Sequence, residues 1–272
     1  YLKRDWQFIG AKADLVHQIG TTHELKAGFE YRYNTYRNYD IGGYGAADLH
    51  SLAQSLAQVG DSFSPESAYQ IRFVDNFGYD VFGRKSDADA NNAAKHPQFG
   101  SVYIQDKIEL DDLLLNIGLR WDYFDPNVNQ MRDLENVEIV TRENGLIDLS
   151  EMNYVDTKSW SNFSPRLGFS FPVTDRTVMH AQYGKFVQTP ELQRLYSSSL
   201  SYAYSLASGN FFRQENPNLG PIYTTSYEIG FQQQLSAFSA MDITASYKEI
   251  NDHVRLINLA YAKPLPYGIF KN

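Results

Sequence analysis

The segment LLLNIGLRWDYF, residues 113–124, sorts by alternate letters into two faces. Leu113, Leu115, Ile117, Leu119, Trp121 and Tyr123 are all apolar or aromatic, whereas Leu114, Asn116, Gly118, Arg120, Asp122 and Phe124 are mostly polar or small. Successive side chains of a β-strand point to opposite faces, so a period of two specifies a strand with one greasy and one wet side. The pattern recurs in four pairs of segments joined by short polar turns. The first pair is 3–17 and 23–38, joined at QIGTT; Leu25, Ala27, Phe29, Tyr31 and Tyr33 alternate with Glu24, Lys26, Gly28, Glu30, Arg32 and Asn34. Residues 97–109 and 113–124 follow, joined at LDD. SNFSPRLGFSF and RTVMHAQYGKF, joined through PVTD, make the third pair, and 222–235 with 239–252 the fourth.

Composition agrees with strands of this kind. Aromatics are 15% and charged residues 21%, with a mean hydropathy of −0.44, which suits a β protein with a single apolar face. The net charge of −8 comes from acids spread along the chain, which argues against a nucleic-acid surface or a basic membrane-surface helix. The absence of cysteine rules out a disulfide scaffold and a thiolate metal site. No run approaches the roughly 20 apolar residues of a spanning helix. The opening YLKRDWQFIG lacks the apolar stretch of a signal peptide and reads as the interior of a longer sequence.

Between the pairs lie long polar connections at 39–96, 125–159 and 187–221. In the first, AADLHSLAQSLAQV places Leu49, Leu52, Leu56 and Val59 at helical spacing, and YQIRFVDNFGYDVFG reads as a small hairpin. Two-faced strands with short turns at one end and long loops at the other are the grammar of an outer-membrane β-barrel. The expected fold is therefore all-β: a sector of a large antiparallel transmembrane barrel, with its apolar face toward lipid and its polar face toward the lumen. With the short turns periplasmic, both ends of the sequence fall outside the cell. Even-stranded barrels keep both termini periplasmic, so further strands are expected before Tyr1 and after Asn272.

In order along the chain, HELKAGFEYRYNTY, SVYIQDKIELDDLLLNIGLRWDYFDP, SPRLGFSFPVTDRTVMHAQYGKFVQTPEL and ENPNLGPIYTTSYEIGFQQQL resemble the barrel strands of TonB-dependent outer-membrane receptors, particularly the Oar-like and SusC-like branch. The resemblance covers nearly the whole chain. It implies about eight strands of a 22-stranded barrel, residues 1–272 being part of one barrel domain, with the plug and remaining strands outside this sequence. It further implies import of a bulky, scarce nutrient, energised by the TonB complex through that plug. Outer-membrane lipid and lipopolysaccharide would surround the barrel, and a SusD-like lipoprotein is a possible partner; neither a cofactor nor nucleic acid is expected. Neither plug nor TonB box is visible, and the ending LPYGIFKN differs from the family's usual aromatic carboxy-terminal residue. Two other readings are a structural or adhesive barrel presenting long surface loops, and a complete eight-stranded barrel, which the parity of the termini disfavours.

Signals for chemistry are sparse, and an enzyme is not expected. SDADANN (86–92) spaces Asp87, Asp89 and Asn91 like the start of a calcium loop, but Asn92 replaces the glycine at its sixth position and Gln98 the glutamate at its twelfth; a solvated loop tip is the default. GGYGAA (42–47) lies outside any βαβ unit. His17, His23, His50, His96, His180 and His253 show no metal-binding spacing, and no serine sits in GxSxG. Tyr202, Tyr204, Phe211, Phe212, Arg213 and Asn216, in the connection after QTPEL, are the expected substrate contacts. Arg120, Asp122, Arg166, His180 and Glu228 are expected in the lumen. Asp106 alternates with Val102, Ile104 and Ile108, which turns it toward lipid unless a bulge intervenes. On these facings Ile117→Arg is costly near the midplane and Asn116→Arg mild.

Overall fold

The computed structural model describes residues 2–40, 75–80, 83–88, 92–133, 140, 143, 154–198, 201, 213–259 and 267–272. In chain order the strands are β1 (Leu2–Ile19), β2 (His23–Asp40), β3 (Asp75–Phe77), β4 (Gln98–Leu110), β5 (Leu113–Asp125), β6 (Asn129–Met131), β7 (Tyr154–Asp156), β8 (Trp160–Thr174) and β9 (Thr177–Gln188). After a one-turn helix, α1 (Leu192–Leu195), come β10 (Arg213–Gln214), β11 (Ile222–Ser236), β12 (Ser239–Asn251), β13 (Arg255–Leu259) and β14 (Tyr267–Lys271). The eight long strands form one antiparallel meander in the order β1-β2-β4-β5-β8-β9-β11-β12, with β3 added at the far end of β2. These are the four expected pairs, each strand within a few residues of its sequence boundary. At 12–18 residues and a rise of about 3.3 Å per residue, each can cross an apolar band about 25 Å tall even when tilted.

Register carries the two faces across the sheet without interruption. Leu25, Asp106, Ile117, Leu167, Tyr183, Tyr227 and Tyr247 are successive cross-strand partners and lie on one face. One position along, Lys26, Gln105, Gly118, Arg166, Gly184, Ser226 and Lys248 form the corresponding row of the other. The apolar face is the uncovered one: Phe163 is 64% exposed and Ile243 57%. A water-soluble sheet would bury such residues; here they meet lipid. Among the described residues no helix is long and apolar enough to cross a membrane, and the crossings are made by strands.

The connecting turns at one end are tight. Gly20, with φ +61°, occupies the β1–β2 turn, and Asp111, with φ +40°, the two-residue turn between β4 and β5. At the other end the long connections build a cap. Tyr36, Phe77, Phe124, Leu195, Tyr196, Leu219 and Phe270 form its buried core, with Phe99 and Trp160 packed against them. Tyr36, Phe99, Phe124 and Trp160 belong to the inward set of their strands, so this core sits over the mouth of the lumen. Tyr196 donates its hydroxyl to the Pro126 carbonyl at 2.7 Å, and Asn272 bonds Gly220 from both ends of its side-chain amide.

Of the expected hairpin at 69–83, only 75–80 and 83 are among the described residues; there β3 pairs with the end of β2, and an isolated bridge joins Tyr79 to Lys85. The expected helix at 46–59 lies outside the described residues. Among the described residues β1 and β12 are the edges of the sheet and do not pair with each other, so the eight strands do not close into a barrel.

Candidate functional site

The inward face and the cap above it make up the candidate site. Arg120, Asp122, Arg166, His180 and Glu228 all lie on the inward face, as their alternation requires. Most inward charges pair within one strand: Arg120 Nε lies 2.8 Å from Asp122 Oδ1, and Arg32 Nε 3.0 Å from Glu30 Oε1. Other contacts cross strands. Tyr103 donates to Asp14 at 2.8 Å, His180 stands 4.0 Å from Glu228, and the Arg166 guanidinium rests over the Phe186 ring. Matched charges of this kind make a wall that water, a polar domain or a polar ligand can wet without leaving ions unpaired.

Glycines recur on this face at 28, 118, 168, 184 and 230. They let neighbouring side chains lie flat on the sheet: a Cβ on Gly230 would meet the His180 ring at 2.5 Å, and one on Gly28 would meet Tyr103 and Asp14 at 2.6 Å. The wall is thereby shallow at its middle, where a groove of about 620 Å³ runs past Gln105, Asn116, Arg166, His180, Gln182 and Glu228. Beneath the cap a second hollow of about 300 Å³ is lined by Arg32, Arg120, Asp122 and Asn162 among others.

Of the expected substrate contacts, Tyr202, Tyr204, Phe211 and Phe212 lie outside the described residues, and Arg213 is described only in its backbone, paired with Gly268. Asn216 is buried and donates to the Phe270 carbonyl at 3.0 Å, so it anchors that connection to the cap. Sequence reading missed the cap core, although its signal was present: Phe124 and Trp160 are aromatic at the extracellular ends of otherwise polar inward sets.

Two further sequence features find their places. Asp87, the first position of the calcium-like spacing, receives both terminal nitrogens of Arg37 at 2.8 and 2.6 Å and the Ala94 amide at 2.8 Å. That guanidinium holds the carboxyl below its ordinary range, and the aspartate serves as a clamp between loop and β2. Asp106 does face lipid, with no bulge in its ladder; His23 Nδ1 lies 2.8 Å from its Oδ2. Among the described residues no group of three or more histidines and carboxylates could hold a metal.

The cap also holds two perturbed acids. Asp75 accepts the Ser198 amide at 2.6 Å and an Asn38 Nδ2–H at 3.1 Å. Burial pushes its pKa up to about 6, opposed by the Ser198 hydrogen bond and helped by Asp40. Burial, and then the charge of Asp75, pushes Glu215 up to about 7.

No curated protein matches the chain. Among solved structures it is similar to the FrpB iron transporter of Neisseria meningitidis (15% identity, TM-score 0.52, covering 99% of this chain and 31% of that one). It is also similar to the hemophore receptor HasR of Serratia marcescens, solved with its hemophore HasA and heme (12%, 0.54, 100% and 38%), and to the siderophore receptor PirA of Pseudomonas aeruginosa (13%, 0.52, 100% and 34%). The chain thus spans about a third of the length of each. At these identities the likeness is one of fold: antiparallel spanning strands, short turns at one end and large connections at the other. The family described as an outer membrane beta barrel domain matches residues 3–258, nearly the whole sequence. With its two-faced strands, uncovered apolar surface and polar inner wall, the chain belongs to that family and resides in the bacterial outer membrane.

Proposed function

We propose that these strands are part of the wall of a TonB-dependent receptor of the Oar-like or SusC-like branch, which imports a bulky, scarce nutrient through a plugged barrel. The observation that carries this reading is the inner wall. Eight spanning strands leave a polar, charge-matched inward face that stays open over a groove of about 620 Å³, whereas a closed eight-stranded barrel fills its interior with side chains. Iron, hemophore and siderophore receptors of like fold support the transport class. The chain is not an enzyme on this reading. The connection holding Tyr202, Tyr204, Phe211, Phe212 and Arg213 contacts the nutrient, with Asn216 fixing its end to the cap.

The test is genetic and quantitative. Deleting the gene, and separately deleting tonB, should each abolish uptake of the same labelled nutrient, and the coding sequence before Tyr1 should encode a plug. Uptake that survives loss of tonB, or a gene without a plug, would sink the proposal in favour of a structural or adhesive barrel. A SusD-like lipoprotein gene next door would place the receptor in the SusC-like branch.

A further inference from the structure

One ladder of the spanning sheet stops short. β8 pairs with β9 only from Thr174 up to Arg166, opposite Gly184, although β8 stays paired with β5 as far as Trp160 and β9 with β11 as far as Gln188. Among the described residues, 160–165 and 185–188 thus have a strand on one side only. The break begins at Pro165, which has no N–H to give a ladder. A hydrogen bond runs through it. Tyr223 belongs to the outward set of β11 and Asn162 to the inward set of β8, yet the Tyr223 hydroxyl donates to Asn162 Oδ1 at 2.6 Å across the end of β9. An outward side chain can meet an inward one two strands away only where the wall is notched.

Three hollows converge on this notch. On the outward face, directly below Arg166 and Gly184, Leu167, Phe169, Ala181, Tyr183, Tyr227 and Ile229 line an almost wholly apolar groove of about 400 Å³. On the inward face the hollow of about 300 Å³ beneath the cap reaches Asn162, Val187 and Gln188, at the sides of the notch. The groove of about 620 Å³ reaches Arg166, Gly184 and Phe186, at its foot. Arg166 is eight residues above the end of β8, about 20 Å at about 2.5 Å of height per residue of tilted strand, against an apolar band about 25 Å tall. The notch therefore opens in the outer leaflet. Two cations mark its foot: Lys185 is exposed on the outward side and Arg166 on the inward. Unlike Arg32 and Arg120, neither has a carboxylate partner among the described residues.

We propose that the notch between β8 and β9 is a lateral entrance, by which an amphiphile with an anionic head and an alkyl chain reaches the inner wall from the outer leaflet. The alkyl chain lies in the apolar groove outside, the head passes between Lys185 and Arg166 into the polar hollows, and the Tyr223–Asn162 hydrogen bond latches the opening. The ammonium and the guanidinium offer donors and charge at the point where the head leaves water, and a guanidinium needs no partner to stay charged. The entrance extends the import reading, from which it takes the direction of travel.

The chain has no cysteine, so the intact receptor in phospholipid vesicles can carry one reporter thiol here at a time. Gln188→Cys, at the notch, is compared with Ser101→Cys, which lines the same hollow behind ladders intact on both sides. Each is labelled with N-hexadecylmaleimide dissolved in the bilayer, and the rate is divided by that of a water-soluble maleimide. The ratio should be at least fivefold higher at position 188, and Tyr223→Phe should raise it further. Palmitate should slow the lipid-phase labelling at least fivefold more than hexadecanol, and Arg166→Gln/Lys185→Gln should abolish that difference. Equal ratios at the two positions overturn the proposal, as does equal slowing by acid and alcohol. Cross-linking of Ile229→Cys to a second copy overturns it too, by giving the outward groove to a neighbouring barrel. None of these readings requires transport, so their failure is distinct from failure of the tonB test.

Discussion

Single side chains decide how the extracellular segment is held and which face of a strand meets lipid. Arg37 is largely buried and bonds Asp87 twice and the Gly78 carbonyl once, while Asp87 also caps the Ala94 amide. Arg37→Ala should therefore cost about 1–3 kcal/mol locally, read as faster amide exchange across 78–94 with little change in the unfolding of the spanning strands; unchanged exchange at Ala94 would remove the clamp. The facing test moves as well. Ile117 lies directly opposite Asp106, so an arginine there gains a carboxylate partner, and Ile229, flanked by Ala181 and Ala245, is the cleaner position. Ile229→Arg should cost about 2–4 kcal/mol and Gln182→Arg well under 1 kcal/mol by urea unfolding in vesicles, with Ile117→Arg between them. Equal costs would reverse the assigned faces. These facings were legible in the letters themselves, because a period of two leaves no freedom once one face is greasy. The pairing of Asp106 with His23 was not, because it joins residues 83 positions apart.

At the scale of the strand, what alternation conveys is facing, and what it conceals is relief. Gly28 and Gly230 read in sequence as small members of a polar set, yet each is the floor on which a cross-strand neighbour lies. A Cβ at Gly28 would come within 2.6 Å of both Tyr103 and Asp14 and 2.9 Å of the Ala13 carbonyl, so the backbone itself resists relaxation. Gly28→Val should cost about 1–3 kcal/mol and break the Tyr103–Asp14 hydrogen bond, and Tyr103→Ala in the same chain should recover part of that loss. Additive costs in the double-mutant cycle would mean that the tyrosine does not lie over the glycine. The short turns and the four strand pairs could be placed from sequence because their contacts are local. Addition of β3 to β2, and of β14 to β10 and β13, depends on connections whose length says nothing of where they return.

Over the whole molecule, a membrane-held sheet carries a water-facing cap with its own core, and the two respond to different variables. The sheet is held by lipid and by ladder hydrogen bonds that titration does not reach. The cap joins β2, β3, α1 and the segment through Glu215, and its acids titrate. Asp75 and Glu215 hold their protons more tightly when folded, with values of about 6 and 7 against ordinary values of 3.8 and 4.5. The folded cap thus binds more protons than the open one between those limits. Its stability is greatest below about pH 4 and falls as the pH rises through about 6 to 7, after which it levels off. Values raised by about two pH units apiece, on two acids that also act on each other, put the joint effect at on the order of a few kcal/mol. Amide exchange at Leu195 and Leu219, both fully buried in the cap core, should accelerate between pH 5 and 8 beyond the intrinsic base-catalysed rate, while that of the spanning strands should not. Glu215→Gln should flatten the upper part of that profile and Asp75→Asn the lower part. If both variants kept the full pH dependence, other groups would have to carry it, and the cap would owe its closure to aromatic packing alone.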